Sequence, residues 1–201
     1  MSLEFNRRSF LKYSAAAAVA VAGSSLLTGC GEDEYQKTGK IGSTLKLMGT
    51  FKTYKSTDAA NADKAPAYSG DKFTCTVNIK CTTKKVPLYV TSECFELTVT
   101  RGKTEKNYAK QYITVTDPEF DLEESESAKD FALTITPVDI QDGDKVELKY
   151  WPRIQASSGN SGYTRAFCTW KMTAKVDSNT GKVTFCLLYT SPSPRDLSTS
   201  R

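Results

Sequence analysis

From Phe73 to Cys81 every odd position is apolar and every even one polar: Phe73, Cys75, Val77, Ile79 and Cys81 alternate with Thr74, Thr76, Asn78 and Lys80. A period of two sends successive side chains to opposite faces, so this segment reads as a half-buried strand with both cysteines turned to the core. The same rhythm recurs down the chain. Cys94 leads into Phe95, Leu97 and Val99; then come Ile113 and Val115, Phe131, Leu133 and Ile135, and Val146, Leu148 and Tyr150. Ala166, Cys168, Trp170, Met172 and Ala174 make a second run of five, Leu45 to Phe51 alternates weakly, and Lys182 to Phe185 closes the series. Turn signals separate the runs at Asp117-Pro118, at Gln141 to Asp144, across the Ser/Gly-rich stretch 157–162 and at Asp177 to Gly181. Beyond the first thirty residues no helical period stands out, although Glu123 to Asp130 has room for a short helical turn. About eight short strands with such breaks predict an all-β, antiparallel β-sandwich over 43–185. Trp170, two residues after Cys168 on the same face, reads as core packing.

The N-terminus follows a different logic. Arg7, Arg8 and Lys12 form a basic head, and an Ala/Val-rich apolar run extends from about Ala15 to Leu27. That run is too short to span a bilayer with such flanks and predicts a signal peptide over 1–29, helical in its apolar part. Asn6-Arg7-Arg8-Ser9-Phe10-Leu11-Lys12 resembles the twin-arginine export motif, in which paired arginines precede x-Phe-Leu-Lys. Only Asn6, where Ser or Thr is usual, departs from it. The resemblance implies export by the twin-arginine translocase, with folding before transport.

Leu27-Thr28-Gly29-Cys30 resembles a bacterial lipobox. By that resemblance Cys30 becomes the mature N-terminus and its sulfur carries a diacylglycerol. Each buried methylene contributes about 0.8 kcal/mol, and two or more acyl chains hold stably where one is reversible. The expectation is therefore a membrane partner through the lipid on Cys30 and a place on the outer face of the cell membrane. Residues 30–42 read as a polar tether, with Glu32, Asp33 and Glu34.

At the other end, the run from Cys186 to Asp196 resembles a translated sequencing-library adapter, because the codons of a transposase-end adapter give those residues in order. The expectation is an adapter-derived tail over 186–201 and a natural reading frame interrupted near Phe185.

Composition removes classes of chemistry. The 201 residues include six cysteines and no histidine. Without histidine the chain has no Ser-His-Asp or Cys-His catalysis, no His-ligated zinc or iron, and no c-type haem attachment. The net charge of +4 belongs largely to the signal and the tail, which leaves the mature part near neutral. No basic stripe suits nucleic acid, and no cofactor motif is visible.

Cys75, Cys81, Cys94 and Cys168 remain as disulfide candidates once Cys30 and Cys186 are set aside. Cys75 and Cys81 stand roughly 20 Å apart on an extended strand, too far to bridge each other. A cross-strand bridge from Cys168 to Cys75 or Cys81 is the first expectation, with buried thiols as the alternative. The lack of a CxxC pair argues against a four-thiolate metal site. The acidic run Asp117 to Glu126 and the shorter cluster Asp139, Asp142 and Asp144 lack calcium-loop spacing and read as solvated loops. Trp151 and Tyr163, flanking the Ser/Gly-rich loop, are the aromatics left to meet a ligand.

From Ser69 to Trp151 the succession of Phe73, Phe95-Glu96-Leu97, an acidic loop, Phe131-Ala132-Leu133 and Asp142-Gly143-Asp144 resembles the telokin-like, immunoglobulin-like extracellular domains of bacterial surface lipoproteins. The resemblance implies an immunoglobulin-like sandwich with an extracellular binding or structural role and no catalytic residues. The ligand is then an unidentified protein or glycan. The alternatives are a carbohydrate-binding module using Trp151 and Tyr163 and, last, a hydrolase using acidic-loop carboxylates.

Overall fold

Period-two burial organises the observed strands as the sequence pattern predicts. A computed structural model describes residues 35–47, 49–55, 59–84, 87–125, 127–155, 161–163 and 166–186. The signal peptide, the lipobox with Cys30 and the residues after Cys186 lie outside the described residues. The strands, in chain order, are β1 (Gln36–Lys40), β2 (Thr44–Lys46), β3 (Gly49–Thr53), β4 (Ala67–Ser69), β5 (Lys72–Cys81), β6 (Leu88–Val90), β7 (Phe95–Arg101) and β8 (Thr104–Tyr108). They continue with β9 (Ile113–Val115), β10 (Glu119–Leu122), β11 (Lys129–Ile135), β12 (Lys145–Tyr150), β13 (Arg153–Gln155), β14 (Ser161–Tyr163), β15 (Phe167–Val176) and β16 (Val183–Cys186). Every apolar residue that the alternation turned inward on β5, β7, β9, β11, β12 and β15 is buried.

Two strands act as hubs. β5 pairs with β11 along one edge, and with β3 and then β4 along the other. β15 pairs with β12 along one edge, and with β1 and then β16 along the other. The hubs are linked through β4 and β16, which share a single registered pair, Tyr68 with Val183. The large sheet folds over at this thin link, so that its β5 half and its β15 half share one core. Phe51 on β3 meets Tyr150 on β12 with ring centroids 4.9 Å apart, and Phe73 on β5 meets Phe185 on β16 edge-on at 5.3 Å.

The all-β, antiparallel class is therefore present, with β1–β15 as the one parallel ladder among those described. The strand count and the division into sheets differ from the expected eight strands. Twelve strands form one continuous sheet, and β10, β6, β13 and β14 form a second, small one. Several strands are only three residues long, too short to show a period. Other expectations need correction for similar reasons. β1 lies inside the stretch expected as a tether; as an edge strand it has no fully buried face. The weak alternation from Leu45 to Phe51 divides into the β2–β3 hairpin. The room for a helical turn at Glu123 to Asp130 is not used: Glu123–Ser125 carries no helix, and β11 begins at Lys129.

Asp130, near the start of β11, ties the β5 half together. Its carboxylate accepts hydrogen bonds from the Asn78 amide at 2.7 Å, the Tyr54 hydroxyl at 2.9 Å and the Lys64 ammonium at 2.7 Å. Burial pushes its pKa up, but the three donors outweigh burial and hold it below the ordinary aspartate value. A carboxyl with a depressed folded-state pKa stabilises the fold above its unfolded pKa, and that contribution fades as pH falls through the folded value. Asp130→Asn is expected to cost about 1 kcal/mol at neutral pH, discounted for a site about a third exposed. Urea unfolding from pH 7 to pH 2 checks it: the gap between the two proteins closes below about pH 4, and a gap constant with pH contradicts the assignment.

Candidate functional site

The small sheet builds the most ligand-like surface among the described residues. Asp117, with φ of +52°, adopts the left-handed turn conformation that Asp tolerates better than most residues, and Pro118 follows it into β10. β10 then pairs with β6 irregularly: Glu119 stands opposite Val90 and Leu122 opposite Leu88, so three steps on β10 match two on β6. That is a β-bulge, a device that re-aims side chains. Phe120 lies in it and is 59% exposed, one of two large hydrophobic side chains left in solvent among the described residues. Its ring meets Tyr89 of β6 edge-on, centroids 6.1 Å apart, and the Arg153 guanidinium lies 5.8 Å from the Tyr89 centroid.

These residues border an open cleft of about 540 Å³ between the small sheet and the β9 region. A carboxylate with two cations lies along it. Glu93, in the 3-10 turn Ser92–Cys94, bonds Lys110 through one oxygen and Arg153 through the other. The bonds from Lys110 and then Arg153 hold the Glu93 carboxyl below the usual range. A carboxyl kept ionised in this way is poorly suited to donate a proton as a general acid. Thr91, Ser92 and Thr114 add hydroxyls to the lining. The arrangement offers an apolar aromatic face, fixed ionic hydrogen-bonding groups and neutral hydroxyls, which suits binding.

Of the two expected ligand aromatics, Trp151 falls elsewhere. Trp151 is half-buried, packs its ring 5.7 Å from Phe167 and donates its backbone N–H to Cys94 O. Tyr163 pairs through its backbone with Arg153; its side chain lies outside the description. Phe120 lies inside the acidic run and has no strong sequence signal of its own beyond the brief alternation of Glu119-Phe120-Asp121-Leu122.

The acidic residues have structural partners. Glu119 pairs with Lys129. Arg101 grips the buried Asp144 through Nε at 3.0 Å and Nη2 at 2.8 Å and reaches Asp139 at 2.9 Å. Asp144 also accepts the Gln141 N–H, and Asp142 accepts the Val176 N–H. Among the described residues no group of three or more Cys, Asp or Glu side chains is placed to hold a metal ion.

The expected disulfides are absent: Cys75, Cys81, Cys94 and Cys168 are buried thiols, and Cys186 is an exposed one. Cys75 stands opposite Leu133, Cys81 opposite Gly49, and Cys168 between Lys37 and Tyr150, so no two of these strand cysteines are direct ladder partners. Burial drives the pKa of the Tyr150 hydroxyl well up, and Cys94, Cys168 and Cys81 add to the shift. That hydroxyl is buried without a hydrogen-bond partner among the described residues.

Residues 4–24 match the TAT (twin-arginine translocation) pathway signal sequence. The chain is thus exported across the cytoplasmic membrane by the twin-arginine translocase. No characterised protein and no solved structure matches the chain.

Proposed function

We propose that this chain is a surface lipoprotein, held on the outer face of the membrane by a lipid on Cys30, whose β domain binds a ligand rather than transforming one. The observation that carries the anchor is Leu27-Thr28-Gly29-Cys30, two residues beyond the matched export signal. An immunoglobulin-like character of the domain belongs to the same proposal; the antiparallel strands and the core shared by the two halves of the large sheet support it. The anchor is tested by fractionation. Cys30→Ala is expected to abolish lipid-dependent membrane retention, and globomycin treatment of the native protein is expected to leave the signal peptide uncleaved, so that a larger precursor accumulates in the membrane. Unchanged retention in the variant together with unchanged processing under globomycin contradicts the lipid.

A carbohydrate is the second reading, and Phe120 carries it. An exposed ring backed edge-on by Tyr89 can lie against the apolar face of a sugar, while Glu93, Arg153 and the cleft hydroxyls meet its OH groups. A glycan array with the wild type, Phe120→Ala and Trp151→Ala tests it. Phe120→Ala is expected to weaken any hit about tenfold, a loss of about 1.4 kcal/mol, without changing the unfolding midpoint. Trp151→Ala leaves binding unchanged, and a hit insensitive to Phe120 removes the cleft from the account.

A further inference from the structure

Two facts stand side by side without an evident link. The chain leaves the cytoplasm by a route that carries folded proteins, yet its described residues show no metal-holding group that would require assembly inside the cell. Its core also contains four reduced cysteines, and its destination is a compartment where disulfides form and persist. We propose that folding before export serves to bury Cys75, Cys81, Cys94 and Cys168 as thiols, because oxidation of the unfolded chain would block the fold.

The geometry of β5 makes the hazard specific. In the unfolded chain Cys75 and Cys81 close a short loop, and short flexible loops close at low entropic cost. A bridge needs Cα atoms within about 7 Å, whereas the extended β5 holds these two roughly 20 Å apart. A Cys75–Cys81 disulfide therefore forbids β5, the strand on which β3, β4 and β11 all register. The oxidant would be a thiol–disulfide exchange protein outside the cytoplasmic membrane. One cysteine thiolate attacks its disulfide and the second resolves the mixed disulfide. The two thiols lose two protons and two electrons, and the oxidant becomes a dithiol.

In the folded domain this chemistry is closed off. Cys75, Cys94 and Cys168 are at most 4% exposed. Burial raises the Cys75 and Cys94 thiols and pushes Cys168 up to about 12, so little of the reactive thiolate exists. Cys81 is 1% exposed, with its thiol directed at the Thr83 carbonyl. Folding in the reducing cytoplasm thus converts four reactive thiols into inert core packing before they meet the oxidant.

The test changes only the route. In a Cys186→Ser background, the twin-arginine signal is replaced by a general-secretory lipoprotein signal that keeps Leu27 to Cys30. Both proteins are expressed in a host with an extracytoplasmic thiol oxidase and in the same host without it. Thiols are counted by alkylation after denaturation, and folding is read by protease resistance. The native-signal protein is expected to keep all four core thiols in both hosts. The rerouted protein is expected to lose thiols and protease resistance in the oxidising host and to recover both in the oxidase-deficient one. Cys75→Ala should partly restore the rerouted protein in the oxidising host. The proposal is overturned if the rerouted protein arrives folded with four thiols, or if removing the oxidase recovers nothing. A native-signal protein already carrying core disulfides overturns it too.

Discussion

Trp170→Ala is expected to lower the unfolding free energy by about 3–5 kcal/mol. Domains of this size are stable by about 5–15 kcal/mol in total, so the loss takes a large share of the margin. Trp170 sits on the hub strand β15, is completely buried and stands between Leu148 of β12 and Gly39 of β1. Gly39 is tightly enclosed: a Cβ there would meet Leu45 Cδ2 at 2.8 Å. The indole N–H donates to the Ser43 carbonyl at 3.0 Å, tying the loop between β1 and β2 to the core. Truncation leaves a large cavity and strips that carbonyl of its donor, two separate costs. Trp170→Phe, which keeps much of the volume and loses the N–H, should cost distinctly less. Urea unfolding followed by circular dichroism checks both. A midpoint for Trp170→Ala equal to wild type would mean that β15 is not packed as described.

Replacing Arg7 and Arg8 together with lysine is expected to abolish export and leave unprocessed chain in the cytoplasm. Lysine keeps the charge but not the planar, multi-donor guanidinium, so a site that reads paired arginines by geometry rejects the exchange while an electrostatic one accepts it. The signal match over 4–24 includes this pair, followed by Phe10, Leu11 and Lys12. The measurement is the ratio of precursor to mature chain in fractionated cells. Continued secretion at the wild-type rate contradicts the route, and with it the reason for folding first.

The central strands were legible in the sequence because each buries its apolar residues on one face, which writes a period of two over five or more residues. β5, β7, β11, β12 and β15 all announce themselves this way. β1, β4, β6, β13 and β14 do not: they are edge strands or three-residue strands, and their pairing depends on partners distant in the chain. The fold-over at Tyr68 and Val183 has no local signature at all, so a sandwich of separate sheets was the natural expectation. The cleft was hidden for a related reason. Phe120 faces solvent because of a register shift between β10 and β6, and a register shift is a property of two strands together. The acidic clusters read as solvated loops, and the departure is Asp144, which is buried against Arg101, a partner that sequence alone does not place beside it. Cys75, Cys81 and Cys168 turn inward as their alternation requires, and Cys94 is buried from a 3-10 turn that no alternation announces.

The most direct test of the account is the mass of the mature N-terminal peptide from membrane-extracted protein. The expected result is a chain beginning at Cys30 with a diacylglyceryl group on its sulfur, whose two ester-linked acyl chains alkaline hydrolysis releases while the glyceryl thioether stays on the cysteine. A mature protein that begins elsewhere, or at an unmodified Cys30, would contradict the lipid anchor.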